Sequence, residues 1–408
     1  MTDMTSADRV AKGSDWSPVE DGEHGARVGG LRGAERAGEY QRLHEECPVA
    51  HSTDLGGYYT FTKYADVVQA ALNHRAIRSG RPFVPMPDFS GQIPITLNPP
   101  EHTPYRRALN RYFKPDAMAR LEPILREQVS TLLGPILERR SGEMMAEFSF
   151  PLPALALAAL MNMPQSASDE FMEHMRTLDA INWDPAKVNE MIFGMFASTV
   201  SRIIEERRGN ELDPEVDLIS GAMLLEIDGR RLTDDEVVQI GVQVVAAGHQ
   251  TTAEALGAAI YRLATNPATQ ARLRRHPELI PSAVEEFLRV ETPLHELARD
   301  VSEDVEIGGC PIPKGARVAL NFGAANLDEE QFEHADACII DRSPNKHLAF
   351  GHGVHKCVGA PMARLELVIA LEELLARTRS FDLAGPTSTS TSTFLAGFKT
   401  VPVQFHVA

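Results

Sequence analysis

Apolar positions recur at the spacing of one helical face over most of the chain, and strand-like alternation is confined to short stretches. Residues 63–72 read as a helix. They follow 56–62, a β-rich run that opens with Gly56-Gly57 and predicts a short strand. Pro82, Pro85 and Pro87 break the pattern, so 83–89 is predicted to be a loop. Helical periodicity returns over 101–113, 116–139, 154–161, 168–180 and 186–208. The strongest signal begins at Thr233. Thr233-Asp234-Asp235-Glu236 is a capping box: the threonine hydroxyl accepts from the Glu236 amide while the glutamate reaches back. Small and apolar residues then run to Ala264, where Asn266-Pro267 stops the helix. About 32 residues at 1.5 Å each give roughly 48 Å. Apolar nearly all round between 237 and 260, this helix should cross the interior. Helices near 268–275, 280–290 and 360–378 are interrupted by a strand-turn-strand pattern around Gly308-Gly309 and a strand over 316–322. The fold class is mainly α, with small β-sheets.

A length of 408 residues would ordinarily divide into two or three domains. No linker marks a division, because the one low-complexity stretch, 386–393, lies near the C-terminus. Either the boundaries are hidden or something large sits inside one core. Residues 1–30 are polar, without an apolar targeting core, and are expected to be a flexible arm ahead of one domain over 31–408. With 40 basic against 57 acidic side chains, the net charge of −17 argues against nucleic acid or an anionic membrane as partner. No apolar run reaches the roughly 18 residues of a membrane span. Four cysteines are too few for a disulfide scaffold in so long a chain, which fits a cytoplasmic location.

Candidate chemistry centres on 350–359, Phe-Gly-His-Gly-Val-His-Lys-Cys-Val-Gly, immediately before a helix. Its three glycines allow the backbone to approach a flat object closely. Cys357 stands just before a helix N-terminus, where amides and macrodipole favour a thiolate, a soft metal ligand. The glycine spacing does not fit a dinucleotide fingerprint. A zinc site using His352, His355 and Cys357 and a structural loop with an inert cysteine remain open readings.

This loop resembles the heme-binding signature of the cytochrome P450 family, the heme-thiolate monooxygenases, whose iron ligand is a cysteine thiolate. The resemblance spans roughly 35–408 and is carried by further motifs in the family's order. Glu286-Phe287-Leu288-Arg289 matches the ExxR motif, with Arg342 as the third member of an interior cluster that holds the cysteine loop. His102-Thr103-Pro104-Tyr105-Arg106 resembles HxxxR. Ala247-Gly248-His249-Gln250-Thr251-Thr252 resembles the AGx(D/E)TT segment, which passes over the open iron face and binds dioxygen in a local kink.

The resemblance implies a single-domain P450 fold binding heme b. Cys357 would be the iron ligand, in a loop including Phe350, Gly351 and Gly359. His102, Arg106, Arg299 and His355 would hold the heme propionates. Gly248, Gln250 and Thr251 would manage oxygen and protons. Gln250 departs from the pattern, since an amide cannot relay a proton as a carboxylate does, so delivery is expected through Thr251 and water. Phe83, Phe89, Val244, Ala247, Leu294, His295, Phe394 and Leu395 are expected around an apolar substrate, with His295 as a polar handle. No electron-transfer segment is evident, so a ferredoxin or flavodoxin, reduced by an NAD(P)H-dependent reductase, is expected to dock on Arg106, Arg107, Arg111, Lys114, Lys356 and Arg364. The implied reaction is hydroxylation or O-dealkylation by a monomer. A heme protein that only senses or carries a ligand is the alternative.

Overall fold

The computed structural model describes residues 33–52, 57–83, 92–180, 192–210, 212–389 and 395–407. The proposed arm over 1–30 and the candidate substrate residues Phe89 and Phe394 lie outside these residues. Helices dominate, and the strands form small sheets. A five-stranded sheet runs in the order Val49–Ser52, Tyr58–Phe61, Arg317–Asn321, Glu296–Val301, Ile77–Arg78, and only the Tyr58–Phe61/Arg317–Asn321 pairing is parallel. A second sheet joins Thr378–Leu383, Pro402–Val407 and Ser141–Glu143.

The capping box forms as the sequence requires. The Thr233 amide donates to Glu236 Oε2 at 2.8 Å, and the Glu236 amide donates to Thr233 Oγ at 3.3 Å. The helix it opens is not continuous. It runs Asp234–Gly248, breaks at His249 and resumes as Gln250–Ala264. Two hydroxyls turn back at the break: Thr251 Oγ donates to the Ala247 carbonyl at 2.9 Å and Thr252 Oγ to the Gly248 carbonyl at 3.0 Å. Such back-bonding competes with the backbone ladder and bends a helix. Gly248 is also hemmed in, because a Cβ there would come within 2.9 Å of Leu157.

Around this broken helix pack Pro115–Arg139, Pro151–Leu160, Ile280–Glu291 and Ala360–Ala376, whose apolar faces merge into one large buried cluster. A smaller apolar cluster lies beneath the five-stranded sheet. The helix Gly33–Glu46, absent from the sequence expectation, buries Tyr40 and Leu43, and its buried Arg36 donates to the carbonyls of Val290 and Glu291. No helix among the described residues is long and apolar enough to cross a membrane.

Candidate functional site

An interior cavity of about 240 Å³ opens between the broken helix and the cysteine loop. One wall carries Val244, Ala247, Gly248, Thr251 and Thr252, and the other carries Phe350, Gly351, His355, Cys357 and Gly359. The loop keeps its form through backbone bonds. The Gly351 amide donates to the Leu348 carbonyl and the Cys357 amide to the Phe350 carbonyl, both at 2.8 Å. Gly351 and Gly353 have φ of 67° and 70°, and a Cβ on Gly353 would collide with the Ala71 carbonyl at 2.4 Å. Only glycine fits there.

Cys357 lines the cavity, and its side chain is exposed there. Burial raises its thiol, and the Gly359 amide, Arg106 and the Ala360 amide pull the other way without reversing the shift. Burial thus opposes the helix end at this sulfur, and a cation coordinated there would favour the thiolate. Among the described residues no group of three His, Cys, Asp or Glu side chains could hold a metal ion, which leaves the zinc reading without a ligand set.

Beneath the loop, Glu286 accepts from Arg289 at 2.9 Å through both oxygens, from Arg342 Nε at 3.0 Å, from Asn345 at 3.1 Å and from the Ile339 amide at 2.8 Å. Arg289 also donates to the carbonyls of Asn326, Ala335 and Ala337. Burial alone would raise the Glu286 carboxyl, but these donors hold it below its ordinary value. The cluster fastens the irregular stretch after 326 to the helix Ile280–Glu291. That stretch leads into the cysteine loop.

At one side of the cavity His102, Arg106, Arg299 and His355 converge, with the His102 and His355 rings 4.5 Å apart. Burial, then Arg299, His102 and Arg106, hold His355 down at about 3, and burial brings Arg299 down to about 10. Nε2 of His355 is buried without a partner. Cationic and donor groups that form no ion pair among the described residues fit a ligand that carries its own anions, such as the two propionates of a heme.

The remaining candidates divide. Val244, Ala247 and Leu294 line the cavity, whereas Phe83, His295 and Leu395 do not. His295 is buried beside it, Leu395 bridges Leu294 from behind, and the Phe83 carbonyl accepts from Arg317 at 3.0 Å. Gln250 also points away, toward Glu254. Of the six basic residues, Arg106 lines the cavity, Arg111 pairs with Glu215 at 2.6 Å, and Arg364 pairs with Glu285 at 2.7 Å. Arg107, Lys114 and Lys356 are exposed.

Among the cavity residues that escaped the sequence reading are Gln243 and Glu366. Gln243 lies one turn before Ala247, and its helical spacing could have revealed it. Glu366, nine residues after Cys357, is buried with Oε2 unpartnered, and burial pushes its carboxyl up to about 8. No local pattern marks it as interior.

Comparison with known proteins decides the family. The model of the family "Cytochrome P450" matches residues 31–395. The chain belongs to the cytochrome P450 family. It is 33% identical over 360 residues to cytochrome P450 107B1 of Saccharopolyspora erythraea, covering 84% of this chain and 87% of that one. It is 32% identical over 354 residues to the vitamin D(3) 25-hydroxylase of Pseudonocardia autotrophica, covering 85% and 87%. The crystal structure of CYP109E1 from Bacillus megaterium with testosterone superposes at a TM-score of 0.81 with 29% identity, covering 91% of this chain and 99% of that one. The protein is thus a P450 monooxygenase with heme b as cofactor, and like the family it acts on small molecules with electrons from a redox partner.

Proposed function

We propose that this P450 inserts one atom of dioxygen into a C–H bond of a mainly apolar, steroid- or terpenoid-sized molecule. The product is an alcohol or, at an O-methyl group, a hemiacetal that loses formaldehyde. Two electrons and two protons carry the second oxygen atom to water. The observation behind the proposal is one cavity with Cys357 on one wall and Thr251 on the other. The vitamin D(3) 25-hydroxylase and the testosterone complex among the relatives support the substrate size.

Heme b, when bound, supplies the reductive activation of dioxygen. Cys357 would hold its iron. His102, Arg106, Arg299 and His355 would neutralise its propionates, and Phe350, Gly351 and Gly359 would cradle its face. Glu286, Arg289 and Arg342 keep the cysteine loop in place and take no part in the chemistry. Gly248 lets the helix pass close against Leu157 at the break. Thr251 Oγ, bonded to the Ala247 carbonyl, can release that acceptor and donate to a water in the cavity. Its hydroxyl then moves protons while Val244, Ala247 and Leu294 exclude bulk water and press the substrate toward the break.

Electrons would come from an acidic ferredoxin or flavodoxin served by an NAD(P)H-dependent reductase. Arg107, Lys114 and Lys356, exposed beside the cavity's arginines and the cysteine loop, offer it a basic patch whose attraction salt would screen. The working unit would be a cytoplasmic monomer. The test is substrate-dependent NADH consumption with surrogate ferredoxin and reductase. Product carrying one labelled atom from dioxygen is expected, and Thr251→Ala should divert most electrons to hydrogen peroxide. Ligand binding without any product would point instead to a carrier or sensor.

A further inference from the structure

Gln243 stands on the cavity face of Asp234–Gly248, between Ile240 and Ala247. Its Oε1 is buried without a hydrogen-bond partner, and its Nε2 has no bond to a described residue. Its neighbours on that face, Ile240, Val244 and Ala247, are apolar. Apart from Glu366, whose Oε2 is also unpartnered, the main polar groups of the cavity have other occupations. The hydroxyls of Thr251 and Thr252 are held by carbonyls of their own helix, and the arginines and histidines gather at the propionate end. An amide left unbonded among apolar side chains is destabilising, which leucine or methionine would avoid.

We propose that Gln243 determines specificity by binding an oxygen of the substrate, at the end remote from Thr251. The inference rests on the heme-pocket reading above. One amide serves two functional groups: Nε2 donates to a carbonyl, and Oε1 accepts from a hydroxyl. Two helical turns, roughly 12 Å of rise, separate its Cα from that of Thr251. The substrate class is therefore narrowed to an elongated, otherwise apolar alcohol or ketone whose oxygen lies away from the oxidised carbon. A bare hydrocarbon or a polyhydroxylated molecule does not fit.

The test uses the holoenzyme and ligands anchored by an imidazole nitrogen on the heme iron. N-hexyl-, N-octyl- and N-decylimidazole are titrated beside their terminally hydroxylated counterparts, with the Soret shift as the measure of binding. At one chain length the hydroxyl should improve the affinity ratio of the wild type roughly three- to tenfold over the other lengths. Gln243→Leu should flatten that maximum and melt no lower than the wild type, since it removes an unbonded amide. Gln243→Met is the alternative should the leucine variant not accumulate. A ratio that follows chain length identically in wild type and variant would overturn the role of Gln243. If none of the plain alkylimidazoles shifts the Soret band, the heme-pocket reading itself falls, and this inference with it.

Discussion

Nε2 of Gln250 donates to Oε1 of Glu254 at 2.7 Å, and both side chains are buried in the second half of the broken helix. The carboxyl group that the family pattern sets at position 250 therefore stands one helical turn further on in this chain. A Cβ on Gly397 would overlap the Glu254 carboxylate, so the C-terminal segment packs directly against the pair.

That pairing reverses the outcome of the obvious repair. Gln250→Glu would set two buried carboxyls at hydrogen-bond distance, and one must take up a proton or repel the other. The variant should lose about 2–3 kcal/mol of stability near pH 7.5 and recover part of it at pH 5, where a shared proton is available. The double change Gln250→Glu/Glu254→Gln, which restores one acid and one amide, should return to wild-type stability. Thermal melts of the wild type, Gln250→Glu and the double variant at the two pH values check this; a Gln250→Glu protein as stable as the wild type would contradict it.

Glu286 offers a second test. Replacing it with Gln leaves Arg289, whose side chain is wholly buried, without its anionic partner. Breaking such a pair from one side costs about 3–5 kcal/mol. Glu286→Gln should therefore be recovered with little heme and a much lower melting temperature, although neither Glu286 nor Arg289 lines the cavity. Heme content per chain after purification measures it.

Much of this arrangement was legible in the sequence wherever the cause is local. The capping box at Thr233, the hairpin around Gly308-Gly309 and the glycines of the cysteine loop are set by residues a few positions apart. Cys357, His102, Arg106, Arg299 and His355, singled out by the motif order, all line the cavity. Long-range causes were not legible. The strand Glu296–Val301 carries three charged residues, and Arg299 lines the cavity, which spoils the strand's alternation. Gly33–Glu46 is too polar to look interior, yet Tyr40 and Leu43 pack under the sheet. The direction of Gln250 depends on Glu254 and Gly397, and no motif couples those positions.

Glu366 gives stability a pH signature. Burial pushes its carboxyl up from the ordinary 4.5 to about 8, so between these pH values the folded state should hold a proton that the unfolded chain has lost. Stability from this group is then full below pH ~4.5 and declines as pH rises toward ~8, by at most about 1.4 kcal/mol per unit. Glu366→Gln should melt higher than the wild type at pH 8, and the gain should vanish toward pH 5. A difference independent of pH would show that the carboxyl is already ionised in its site.

The account depends most on the bond between the Cys357 sulfur and heme iron. The direct measurement is the absorption of the reduced, carbon monoxide-bound holoenzyme. A Soret band near ~450 nm is predicted for the intact protein and a shift to ~420 nm for Cys357→His, since only thiolate donation produces the longer wavelength. A wild-type band near ~420 nm in undamaged material, or a Cys357→His variant that keeps the longer wavelength, would contradict it.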